Sequence, residues 1–176
     1  MKKLAIVLMM LCAVSLLAQE PAKEKNDDDS MKDCQMHAKH QKDTAVDQRG
    51  DIGMGFSHEK TGHHFLLSAD GGSIEAFADS ADDTDSIGEI RMHMRHIVMM
   101  FTNGDFSIPM FVHDQTPPGV PVMQSLKKDI SYKYEETRLG ARVRIKTQNA
   151  EALKAIQQFL KFQITEHRTG DNSTIH

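Results

Sequence analysis

One plan, a hairpin followed by a helix, is written twice in this chain, and it limits the available folds more than any other feature. His63 to Ser68 is a short strand-like run, Ala69-Asp70-Gly71-Gly72 supplies a turn, and Ser73 to Ala78 pairs back as a second strand. Asp-Gly and Gly-Gly tolerate the positive φ of tight hairpins. Asp82, Asp83 and Asp85 offer capping carboxylates to a helix that runs to about Phe101 and stops at Asn103-Gly104. In the second half, Ile130, Tyr132 and Tyr134 alternate with polar residues, as do Val143 and Ile145. Strict alternation gives each strand one buried and one wet face, hence an antiparallel pair. Asn149 then caps a helix with Leu153, Ile156, Leu160 and Ile164 on one stripe, ending near His167 and Thr169-Gly170-Asp171.

Neither ββα unit can bury its apolar face alone. The expectation is therefore an α+β fold in which two ββα units form one antiparallel four-stranded sheet covered by two helices on one face, with Ile97 and Leu160 at the helix-to-sheet contact. The order of the strands is not readable. The domain spans about 56–171, with the internal repeat at about 63–104 and 129–170 and a tail at 172–176. Ser107 to Lys128 reads as a long rigid connection, holding Pro109, Pro117, Pro118, Gly119 and Pro121.

Ahead of the domain, Lys2 and Lys3 precede an uncharged apolar stretch from Leu4 to Ala18, and the chain turns abruptly polar at Gln19. This layout predicts a signal peptide over 1–18 cleaved after Ala18, and so a periplasmic or secreted protein; an uncleaved anchor is the alternative. No later stretch is apolar for long enough to span a membrane. From 19 to 55 there is no aromatic residue and charged and polar side chains dominate, which predicts a disordered leader.

Loss of Lys2 and Lys3 takes the formal charge from −4 to −6. That balance argues against a nucleic-acid partner, which needs a concentrated basic surface. Only Cys34 of the two cysteines remains after cleavage, so no intramolecular disulfide can staple the fold. Neither a Gly-x-Ser-x-Gly elbow nor a phosphate-cradling glycine loop occurs, and no catalytic residue is assigned.

Soft and borderline metal ligands are the one compositional clue to chemistry. On the first helix Ile87, Ile90, Met94, Ile97, Val98 and Phe101 form the core face, while Glu89, His93, His96 and Met100 fall on a separate stripe. A helix stacks such residues one turn apart, so two imidazoles with a thioether or carboxylate could share an ion; the plain alternative is a solvated face. His64 in the first strand and His113, beside Asp114 in the connection, are the candidates to complete that site. His63 points to the opposite face from His64, and His167 reads as a core or C-terminal histidine. In the leader, Cys34, Met36, His37 and His40 pack a thiol, a thioether and two imidazoles into seven residues. Such ligands suit Cu(I), and a flexible segment can wrap an ion.

The strings His63-His64-Phe65-Leu66-Leu67, Pro109-Met110-Phe111-Val112-His113, Thr116-Pro117-Pro118-Gly119-Val120 and Gly140-Ala141-Arg142-Val143-Arg144-Ile145 give the chain a resemblance. It resembles, over about Gly53 to Asp171, a group of small exported bacterial proteins without an established activity. Some carry the label aspartate carbamoyltransferase, which does not transfer, because this chain lacks a Ser-Thr-Arg-Thr loop and is too short for two substrate domains. Their leaders, rich in His, Met and Cys, imply a metal theme.

The leading expectation is an exported protein binding copper, or another soft or borderline divalent metal, through histidine and methionine. The alternative is a non-enzymatic envelope interaction domain that engages a ligand or an envelope protein. A hydrolase or transferase using His113 with Asp114 ranks third, since no nucleophile accompanies them.

Overall fold

The computed structural model describes residues 27–175, with only the helical backbone described at 27–35, 37 and 38. The signal peptide expected over 1–18 lies outside the described residues. The elements are α1 (Asp27–Met54), β1 (Thr61–Ser68), β2 (Gly71–Ala78), α2 (Thr84–Thr102), α3 (Ser107–His113), α4 (Val120–Ser125), β3 (Ile130–Thr137), β4 (Gly140–Thr147) and α5 (Ala150–Glu166). A single 3-10 turn, Lys127–Asp129, leads into β3.

The four strands form one antiparallel sheet in the order β1-β2-β4-β3. Helices α2 and α5 cover one face of it, as the double ββα pattern requires. Asp83 caps α2 by accepting the Ser86 N–H, and Asn149 caps α5 by accepting from Glu151 and Ala152. These caps satisfy amides that have no partner inside the helix. Ile97 and Leu160 are both buried in the shared core.

The repeat is a near-symmetry of the molecule. A shift of 69 residues carries Thr61–Ser68 onto Ile130–Thr137 and Gly71–Ala78 onto Gly140–Thr147. The pairing of β2 with β4 obeys the same shift, since Ile74 faces Val143 across the ladder. A pseudo-twofold axis therefore passes between those two residues. A Cβ on Gly71 would strike the Ile145 carbonyl, and a Cβ on Gly140 would strike the Ala76 carbonyl. Each inner strand thus begins with a glycine for the same steric reason. The helices follow with a shift of 66, which carries the cap Asp83 onto Asn149 and the positive-φ Gly104 onto Gly170. Each helix also reaches beyond its own hairpin: α2 lies against β3 and β4 as well as β2, and α5 against β1 and β2 as well as β4.

Two expectations need correction. The segment expected to be a disordered leader forms α1 from Asp27 onward. Composition alone misjudged it because α1 docks through a few contacts rather than an apolar stripe. Val46 is buried, Arg49 Nε donates to the Val112 carbonyl at 2.8 Å, Lys42 pairs with Glu166 at 3.0 Å, and Arg168 holds both Asp43 and Asp47. Gly53 allows α1 to approach α3 closely, since a Cβ there would stand 3.2 Å from Val112. The connection from Ser107 to Lys128, expected as a rigid loop, contains α3 and α4. Proline suits these short helices because an early helical position has no N–H bond to lose, as at Pro121 in α4. Among the described residues no helix is long and apolar enough to cross a membrane.

Candidate functional site

The alternation of β1 turns Phe65 and Leu67 into the core, and it aims His63 at the same side, toward the C-terminal end of α5. There His63 stacks on His167 with ring centroids 5.7 Å apart, and His167 stacks on Phe65 at 5.5 Å. His113, at the last position of α3, meets His167 edge-on at 5.0 Å. His93 of α2 meets Phe56 edge-on at 5.6 Å, and Phe56 in turn stacks on His63. His63, His93, His113 and His167 line one small cavity of about 70 Å³, the inner of two, together with the thioethers Met54 and Met94 and the rings of Phe101 and Phe159.

Burial sets the protonation of these rings. It pushes His63 down to about 4, with neighbouring His64 adding to the effect, and it pushes His93 down to about 4, helped by His63 and His96. Burial holds His167 well below the usual histidine range, and His63 and His113 depress it further. His113 is also lowered by burial, against the opposing pull of its bond to Gln163 and of Glu166. All four imidazoles are thus neutral at pH 7, the form that ligates metals. His113 Nε2 lies 3.0 Å from Gln163 Oε1. With that oxygen accepting, Nε2 carries the proton and Nδ1 keeps a free lone pair. Both His113 Nδ1 and Gln163 Nε2 are buried without a hydrogen-bond partner.

A second cavity of about 340 Å³ adjoins the first, sharing His63, His167 and Met54 with it and opening between α1, the start of β1 and the end of α5. His58 and His64 line it. Two adjoining cavities therefore gather His58, His63, His64, His93, His113 and His167, out of ten histidines in the chain.

The expected metal ligands fare unequally. His93 and His113 reach the inner cavity, though His93 comes from one edge of the proposed stripe. Glu89 and His96 are exposed, and Met100 packs against the core. His64 is bonded to Asp171 on the other side of β1 from the stripe, so it does not join that group. His113 is not oriented by Asp114; Asp114 is an exposed left-handed cap at φ 52°, and the Gln163 amide holds the ring instead. Met36 and His40 are exposed on α1 and line neither cavity, while the side chains of Cys34 and His37 lie outside the described residues. The sequence reading missed His58, which pairs with an aspartate on α1, and it placed His167 in the core without seeing that it faces two other imidazoles, those of His63 and His113. The repeat itself held the missing signal, because the two halves differ in kind at these positions.

Among the described residues no group of three or more His, Cys, Asp or Glu side chains converges in the geometry of a metal centre. A site here would use two such ligands completed by thioether or water, or would turn a ring into the cavity. Comparison with protein-family models, curated proteins and solved structures finds no match.

Proposed function

We propose that this chain is an exported metal-binding protein whose inner cavity takes a soft, low-coordinate ion of the Cu(I) type through neutral imidazoles and thioethers. The observation that carries this reading is the internal comparison. The shift of 66 carries Phe101 onto His167 and His93 onto Phe159, and the shift of 69 carries His63 onto Tyr132. One half of the fold is built with Phe101, Tyr132 and Phe159, with Phe101 meeting Tyr132 edge-on at 5.7 Å and Phe159 edge-on at 6.0 Å. The other half places His167, His63 and His93 at the matching positions. The architecture does not require imidazoles there, because its other half does without them.

Copper(I) accepts few ligands and prefers imidazole and thioether to carboxylate. Met54 and Met94 beside the four imidazoles supply that donor set, and the layout of the first 18 residues supports export to a compartment where copper is met. The test is a triple exchange that gives the imidazole cluster the residues of the carbocyclic one: His63→Tyr, His93→Phe and His167→Phe. The expected result is loss of Cu(I) binding, measured by competition with a chromophoric chelator, with thermal stability kept or raised. A wild-type protein that fails to compete for Cu(I), with a triple variant that no longer folds, would make the imidazoles a structural feature and end the proposal.

A further inference from the structure

The outer cavity carries a separate arrangement. His58 Nδ1 lies 2.9 and 3.0 Å from the two carboxylate oxygens of Asp51, whose Oδ1 also accepts the His58 backbone N–H at 2.7 Å. His64 Nδ1 lies 2.8 Å from Asp171 Oδ1. Asp171 is itself fixed, because its Oδ2 accepts the Phe65 N–H at 2.8 Å and the Thr169 hydroxyl at 2.7 Å. Although partial burial works against it, these bonds hold the Asp171 carboxyl below its ordinary range, so it is charged at neutral pH. A carboxylate only accepts, so in each ring Nδ1 carries a proton; in the neutral imidazole Nε2 is then the nitrogen with a free lone pair, although the Asp51 bond raises the His58 pKa and so favours its protonated form. Both rings line the same 340 Å³ cavity.

From this paired geometry we infer that the outer cavity is a second cation site, in which His58 and His64 bind a borderline divalent ion such as Zn²⁺, Ni²⁺ or Cu²⁺ through Nε2. Histidines that ligate metals commonly donate their other N–H to a carboxylate, which fixes the tautomer and makes the free nitrogen more basic. Here two rings from different segments, the turn after α1 and strand β1, carry that second partner and open on one space. The negative charges of Asp51 and Asp171 offset the charge of a dication, and the cavity has room for waters to complete its coordination. The inner cavity offers thioethers and rings without carboxylate partners. The two sites should therefore sort ions by softness. This inference shares only the class of ligand with the preceding one and uses different residues.

Zn²⁺ titrated into the full-length mature protein, without a histidine tag, reads the site directly. In long-range nitrogen–proton spectra of the wild type, the Nε2 signals of His58 and His64 should move together at one equivalent of Zn²⁺ while their Nδ1 signals stay protonated. By calorimetry, Asp171→Asn and Asp51→Asn should each weaken Zn²⁺ binding by about 10- to 100-fold, because they loosen the orientation and not the ligand. His58→Gln with His64→Gln should remove that equivalent and leave Cu(I) binding in the inner cavity intact. If the Nε2 signals of the wild type do not move, or if the double variant binds Zn²⁺ as the wild type does, the inference is overturned. Loss of Cu(I) binding alone would count against the inner site and not against this one.

Discussion

The two halves share their backbone plan and differ in the chemistry of their ring clusters. Around Phe101 the rings are carbocycles that pack on Phe106 at 4.3 Å and on Phe159 and Tyr132, with Phe101, Phe106 and Phe159 almost fully buried. Around His167 the matching rings are imidazoles; they share the inner cavity with Phe101 and Phe159, two of them also border the outer one, and the neighbouring His113 Nδ1 and Gln163 Nε2 lack partners, as the Tyr132 hydroxyl does on the carbocyclic side. An unpartnered buried polar group costs about 1 to 3 kcal/mol, and an apolar ring of similar shape at the same place does not incur that cost. The difference teaches that one backbone plan carries two ring chemistries, carbocycles that contribute by burial and imidazoles that burial keeps neutral. Among the described residues the short helices α3 and α4 have no match after α5, and α3 brings His113, the fourth imidazole, into the imidazole cluster.

The largest effect should come from the carbocyclic side. Phe101→Ala or Phe159→Ala removes a buried ring and should cost about 3 to 5 kcal/mol in chemical denaturation. Leu160→Ala, at the helix-to-sheet contact, should cost about 2 to 5 kcal/mol. His167→Phe should cost little or stabilise. A loss for His167→Phe as large as that for Phe101→Ala would break the comparison.

Acid should act through the imidazole half. His63 and His93 titrate at about 4 in the folded protein, against 6.5 for an ordinary histidine. The unfolded chain therefore binds more protons between those values. Stability is fully present above pH 6.5 and falls as the pH drops toward 4, with a slope of up to about 1.4 kcal/mol per pH unit for each histidine. Urea midpoints measured across that window should show the decline, and the triple exchange of His63, His93 and His167 for carbocycles should flatten it. An equal decline in the exchanged protein would assign the acid sensitivity elsewhere.

Helix α1 provides a smaller and more local effect. Arg168→Ala removes pairs with Asp43 and Asp47 that are partly exposed, so global stability should change by only about 0.2 to 1 kcal/mol. Hydrogen exchange in α1 should nevertheless quicken, because that helix has little apolar burial to hold it. Protection spread evenly over α1 and the sheet in the variant would show that α1 docks by other means.

The smallest effect sharpens the carbocyclic half itself. The Tyr132 hydroxyl is buried without a partner, and burial pushes its titration up. Tyr132→Phe should be neutral or stabilising by up to about 1 kcal/mol in thermal unfolding, since it removes an unsatisfied group and keeps the ring. Marked destabilisation would reveal a bond that the hydroxyl makes through water.

The amino-acid sequence by itself determined the four strands, the two long helices with their caps, and the core face that contains Ile97 and Leu160. These features rest on local periodicity and capping chemistry, which act over a few residues and are legible in one dimension. It also pointed to histidine and methionine, but it grouped Glu89, His93, His96 and Met100 by helical spacing, and only His93 of that group lines either of the two cavities described above. Tertiary structure alone decided the strand order, the docking of α1, and the meeting of His63, His93, His113 and His167 from four different elements. It also decided that Asp171 would orient His64 across 107 positions of chain, a pairing that no spacing rule anticipates. The physical reason is that a helix or strand fixes only which side a residue faces. Which residues meet there depends on the sheet register and on the crossing of α2 and α5 over their shared sheet.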